Sequence, residues 1–177
     1  MDDKLHGLLF DIRRSVRYHN RRRAYYDRCH NVSTILGLVG GSAVVVALLA
    51  ETVSHEMTLI FGAVVAIASA IDLIIGSSGK ARLHHDYARQ YFNLEKEIAS
   101  AGRSISEEQL AGWTKARLDI EAEEPPVLHI LNVICHNELC RAMGYKEDQM
   151  VKIGPIQRLF SGIMDIGEHK IQAQDIC

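Results

Sequence analysis

The sequence predicts an all-α membrane protein: a two-helix transmembrane hairpin with an N-terminal amphipathic helix and a cytoplasmic helical bundle. Three observations carry this. Two long apolar runs lie six residues apart, the flanking segments repeat apolar residues at helical spacing, and no stretch alternates with the period of a strand. The 177 residues carry a net charge of −2. Their mean hydropathy of −0.02 is an average that hides a sharp segregation of charge.

Residues 1–31 form the first element. Leu5, Leu8, Leu9, Ile12 and Val16 recur at three- and four-residue spacing, the mark of an amphipathic helix. The stretch RRSVRYHNRRRAYYDR continues that helix toward the first apolar run. Its arginines suit anionic lipid head groups, and no nucleic-acid-binding signature accompanies them.

The hairpin occupies 32–76. Val32–Ala50 holds no charge over nineteen positions, and Met57–Gly76 runs twenty positions with Asp72 as its only charge. About 20 apolar residues in a helix cross the ~30 Å hydrocarbon layer. The soluble alternative, two fully buried helices, fails because the remaining chain is too polar to wrap them. A cleaved signal peptide is not expected, since thirty-one strongly charged residues precede the first run. Eight Lys and Arg residues precede the hairpin and none lies in its loop ETVSHE, while Lys80, Arg82 and Arg89 follow it. Both termini are therefore expected on the cytoplasmic side of the inner (plasma) membrane.

Residues 77–145 read as cytoplasmic helices. After a flexible break at GSSGK, the positions Leu83, Tyr87, Tyr91, Leu94, Ile98 and Ala101 approach a heptad seam suited to packing on another helix. Ser106 and Gln109 form a capping box that starts a helix running to Glu124. Pro125 and Pro126 end it, and a further helix covers Val127–Ala142 with Gly144 beyond its end. In the tail, 146–177, Pro155 restarts a helix with the stripe Ile156, Leu159, Phe160, Ile163 and Met164. Few cations flank that stripe, so packing on the other helices is preferred to the membrane surface.

The residues offer little catalytic chemistry. No glycine-rich loop follows a strand, and no nucleophile stands with a base. His84-His85-Asp86 are adjacent on a helix and point in different directions. His129, Cys135, His136 and Cys140 cluster without a common zinc spacing, and Cys135 reads as a small apolar residue. The four cysteines fall in the cytoplasmic parts, where thiols stay reduced. EAEEPP places acids at the less favourable end of a helix, which implies a partner for them. The expectation is a non-enzyme without cofactor or metal.

Inside the hairpin the pattern is sharper. Thr34, Gly37 and Gly41 stack on one face of the first span, and Gly62, Ala66, Ser69 and Gly76 on one face of the second. In lipid, close contact through small residues holds helices together. Two small faces exceed the needs of one hairpin, which points to a homo-oligomer. Asp72 lies at the margin of the second face and has two readings. Either the carboxylates form a cation-selecting ring at the inner mouth of an oligomer, or Asp72 pairs with a base such as Arg28 or Lys80. Ser69 and Thr34 are the further pore-lining candidates.

The segments RYHNRRRAYYDRCHNVSTILGLVGG, ARLHHDYARQYFNLEKEIAS and EAEEPPVLHILNVICHNELCRAMG, with the tail GPIQRLFSG, resemble in order the SLATT family, the SMODS and SLOG-associating two-transmembrane effectors. The resemblance covers the chain from about Arg13 on. It implies a pore-forming effector of prokaryotic conflict systems, with 32–76 as the pore element and 80–145 as its control part. No sensor domain is fused in this chain, so activation is expected from a separate sensor protein, a nucleotide signal or assembly itself. A membrane-anchored scaffold that recruits a cytoplasmic partner is the competing class, and a pH- or metal-responsive transporter a weaker third.

Overall fold

A computed structural model describes residues 2–50, 54–102 and 104–166, which form helices, turns and loops and include no strand. Residues 51–53 of the hairpin loop, and the tail from 167 to Cys177, lie outside the described residues. The helices are α1 (Asp2–Ile35), α2 (Gly41–Ala50), α3 (His55–Ile75), α4 (Ser77–Ser100), α5 (Glu107–Ala122), α6 (His129–Ala142) and α7 (Pro155–Phe160). A π-helical turn, Leu36–Gly40, joins α1 to α2. A 3₁₀ turn, Glu147–Gln149, stands between α6 and α7.

The helix ends follow local chemistry. Ser106 Oγ accepts the Gln109 N–H at 3.2 Å and Gln109 Oε1 accepts the Ser106 N–H at 2.9 Å, closing the expected capping box. The expected break at GSSGK shrinks to one residue. Gly76 alone leaves the helix, with φ +65°, and its N–H returns to the Asp72 carbonyl; Ser77 already begins α4. A left-handed residue of this kind ends a helix at little cost only when it lacks a Cβ.

The chain divides into two compact units, residues 1–22 with 84–177, and residues 23–83. In the first, Leu8 and Ile12 of α1 meet Tyr91, Leu94 and Ile98 of α4 and Leu110 and Trp113 of α5 in one apolar core. Tyr87 is buried one turn further along α4. The predicted seam holds from Tyr87 on. Leu83 departs from it, 43% exposed and within the other unit. Trp113 Nε1–H donates to Glu97 at 3.0 Å, so the indole buries its ring without stranding its donor.

α6 is buried along both flanks, Ile130, Val133 and Ile134 against Val151, and Leu131 and Cys135 against Tyr18. Its N-terminus has no local side-chain cap. Asp165 does that work from the tail, accepting the His129 and Ile130 N–H groups at 2.7 and 2.9 Å. The α7 stripe departs from expectation. Ile156, Leu159, Ile163 and Met164 are each at least half exposed. The segment is held instead through buried Ser161 and through Gln157, which accepts the Gly154 N–H and donates to the Ile166 carbonyl.

The second unit is the hairpin. Its outward aliphatics are bare: Leu38, Val39, Val46, Ile60, Ile67, Leu73 and Ile74 are all more than half exposed. The most apolar 18-residue windows of the two arms reach mean hydropathies of 1.5 and 2.4, with none of their residues buried. α3, at 21 residues, is about 31 Å long at 1.5 Å per residue. The chain thus has two helices long and apolar enough to cross a membrane.

Candidate functional site

The inner line of the hairpin is built from small and polar residues at alternating three- and four-residue spacing. His30, Ser33, Gly37, Gly40 and Val44 on one arm meet Asp72, Ala68, Ser69, Val65 and Gly62 on the other. His30 Nδ1–H donates to Asp72 Oδ2 at 3.0 Å. Ser33 Oγ reaches the Ala68 carbonyl at 3.5 Å. A Cβ added at Gly37 would lie 3.5 Å from Ser69 Oγ, and one at Gly40 only 2.6 Å from Val65 Cγ2. A Cβ at Gly62 would touch Val44 at 3.9 Å. Glycine leaves room for the opposite arm, and of the glycines on this line Gly40 has the least space for a Cβ. Beyond it an apolar cavity of about 270 Å³ opens between Ala43, Ala47, Thr58 and Phe61.

Asp72 is the polar focus. Its side chain is 17% exposed against 46% for His30. Oδ1 is buried without a well-directed hydrogen bond, as is the neighbouring Ser77 hydroxyl, on a residue 1% exposed. The expected ion-pair alternative is therefore corrected as to its base. The partner is His30, and Lys80 Nζ stands 5.6 Å over the Tyr26 ring. His30 holds one carboxylate oxygen, and the Ser77 hydroxyl lies beside the carboxylate.

The other expected residues divide. Gly37, Gly62 and Ser69 lie on the inner line. Thr34 and Ala66 are exposed. Gly41 has no atom within 4 Å of an added Cβ, so within the chain it contacts nothing across the hairpin. Gly76 is a turn residue, and its assignment to helix contact is corrected by its left-handed conformation. Reasoning from a Gly-x-x-x-Gly pair selected Gly37 and Gly41. The three-four alternation from His30 would have selected Gly40.

The arginines before the hairpin are largely engaged within the chain. Arg13 binds Glu95 at 2.7 Å, Arg14 binds Asp11 at 3.0 Å, Arg21 pairs with Glu138, and Arg22 donates to the Gly162 carbonyl at 2.8 Å. Two of the acids of EAEEPP lie near bases. Glu121 meets Arg117 at 3.2 Å, and Glu124 Oε1 lies 3.0 Å from His19 Nε2.

That last contact belongs to a polar cluster the sequence reading did not assemble. His19 and His84 face each other through their Nδ1 atoms at 2.9 Å, and both are at most 3% exposed. Tyr91 stacks on the His19 ring at 5.9 Å and 19°, with Tyr87 and Tyr18 on its other sides. Tyr18 Oη accepts the Leu128 N–H at 2.9 Å, and Tyr87 Oη–H donates to the Glu123 carbonyl. Burial, reinforced by Glu124, raises the Tyr91 phenol well above its ordinary value. The cluster ties α1 and α4 to the Glu-Glu-Pro-Pro joint.

The cysteine and histidine group of α6 is packed into the core. Burial pushes the Cys135 thiol up to about 12, which removes it as a nucleophile at neutral pH. Burial lowers His136, whose Nε2 lies 3.4 Å from Cys140 Sγ. Among the described residues no three His, Cys, Asp or Glu side chains converge as a metal site. Comparison with known proteins finds no family model, no curated protein and no solved structure that matches this chain.

Proposed function

We propose that the chain is a non-enzymatic membrane effector that assembles with copies of itself into a pore or channel. The observation that carries this reading is Asp72. A carboxylate sits on the inner line of an apolar hairpin, with His30 bound to one oxygen and the Ser77 hydroxyl beside it. A carboxylate in such a position is costly in lipid, and the cost is met where it serves a path for ions. In a closed ring of hairpins these carboxylates would gather at one mouth and favour cations. The bare outward aliphatics and the small-residue line between the arms support insertion as a hairpin.

Both termini are assigned to the cytoplasmic side of the inner membrane on the distribution of Lys and Arg. A role in a prokaryotic antiviral or toxic response, released by a separate sensor or a nucleotide signal, rests on the resemblance to the SLATT family. The test is ion flux through liposomes carrying the purified protein, with toxicity on expression measured in parallel. Asp72→Asn keeps shape and removes charge. The expected result is unchanged assembly with reduced cation flux and toxicity. Parent-like flux and toxicity in Asp72→Asn would sink the pore reading, and a parent protein that passes no ions but captures a cytoplasmic partner would establish the scaffold.

A further inference from the structure

We infer that the His19–His84 pair is a proton-operated latch on the joint between α5 and α6. The inference stands on the first unit alone and does not depend on the pore reading.

Two imidazoles joined through Nδ1 at 2.9 Å share one proton between them. One ring donates N–H and the other accepts on a lone pair. The pair keeps this bond with both rings neutral or with one ring charged. With both rings charged, two N–H groups face each other in a site at most 3% exposed, and the contact is lost. The two Nδ1 atoms have room for one proton between them. Glu124 lies against His19 Nε2, and Glu121 and Glu123 stand behind it at the end of α5. From α1, Tyr18 packs edge-on against both rings, with Arg22 and Asp165 within electrostatic reach of its phenol. From α4 come Tyr87 and Tyr91, both kept protonated by burial. Glu124, beside His19 Nε2, can face one imidazolium. None of these groups relieves the N–H to N–H collision of a second.

The sign follows. A solvated imidazole takes up a proton below about pH 6.5. Below that pH the opened form binds at least one proton more than the closed form, so acid favours opening. The closed form is fully retained at neutral pH. Opening frees the Glu124 contact, one attachment of the joint to α1 beside the Tyr18–Leu128 bond.

The test uses the full chain in mild detergent. Hydrogen exchange is followed by mass spectrometry between about pH 7.5 and about pH 5 and corrected for its intrinsic pH dependence. Below about pH 6, protection in segments 15–22, 84–91 and 120–128 should fall by close to tenfold per pH unit, the factor for one extra proton. Segment 107–118 of α5 serves as the internal reference and should hold. His84→Asn retains a hydrogen-bonding group near the Nδ1 position and takes up no proton, so its protection should stay flat across the range. A flat wild-type profile, or a His84→Asn profile as steep as wild type, overturns the inference. Should His84→Asn fail to fold, ring-nitrogen NMR of the wild type decides. Both histidines should become doubly protonated within the interval where protection is lost, and rings still sharing one proton below about pH 5 overturn the latch.

Discussion

One methyl group at Gly40 should wedge the hairpin open. A Cβ there would lie 2.6 Å from Val65 Cγ2, about 1 Å inside the ~3.5–4.0 Å separation of carbon atoms in contact. Val65 cannot swing aside cheaply, because a β-branched side chain in a helix has one strongly preferred rotamer. Overpacking of this kind costs about 1–3 kcal/mol, against a gain of up to about 1 kcal/mol from replacing Gly by Ala in a helix. Gly40→Ala should therefore lose about 1–2 kcal/mol, and Val65→Ala in the same chain should return most of it. The assay is a double-mutant cycle in mixed micelles, with unfolding by increasing SDS fraction followed through helical circular dichroism. A coupling of at least about 1 kcal/mol between the two sites is expected. Gly41→Ala is the control, since nothing lies within 4 Å of its added Cβ, and it should be neutral or stabilising. A coupling below about 0.5 kcal/mol, or a Gly41→Ala cost equal to that of Gly40→Ala, would refute the close approach at Gly40.

Cys135 should resist alkylation at neutral pH while half-buried Cys29 reacts, as peptide mass spectrometry would show. Since the folded thiol sits near 12 and the unfolded one near 9, its contribution to stability is complete below about pH 9 and is lost as pH rises toward about 12. Cys135→Ala should lessen that alkaline loss in a thermal melt series. Ser106→Ala removes the acceptor for the Gln109 N–H and should cost about 1 kcal/mol in thermal unfolding. On intact cells, a cysteine introduced at Ser54 should react with an impermeant thiol reagent while Cys29 should not. Labelling of Cys29 from outside would reverse the assigned orientation.

What the sequence disclosed and what it withheld differ in physical kind. Helix ends were readable because a capping box or a proline pair is a contiguous signal, and Ser106 to Gln109 is one. The buried face of α4 was readable from Tyr87 to Ile98 because one helix carries its own period. The partner of Asp72 was not, because His30 is 42 positions away and belongs, by composition, to the basic segment before the first apolar run. His19 and His84 stand 65 positions apart, and each looks ordinary in its own helix. Only the packing of α1 on α4 makes them a pair. Gly41 was favoured over Gly40 by a four-residue rule, whereas facing arms of this hairpin alternate steps of three and four. The α7 stripe misled for a related reason. An apolar period states that a face exists, not what meets it, and here Ser161 and Gln157 hold the segment while the stripe stays bare.

The π-helical turn at Leu36–Gly40 gives the first arm a property that a uniform helix lacks. A π turn accommodates one residue more than the α-turn it replaces and keeps its neighbours in phase. Losing Leu38 or Val39, whose side chains point outward, would convert it to ordinary helix without turning Gly41–Ala47 relative to the arm before it. Anywhere else in α1 or α3, dropping one residue swings everything beyond it by about 100° and pulls the inner line out of register. Insertions and deletions tolerated by the hairpin should therefore collect at this one turn.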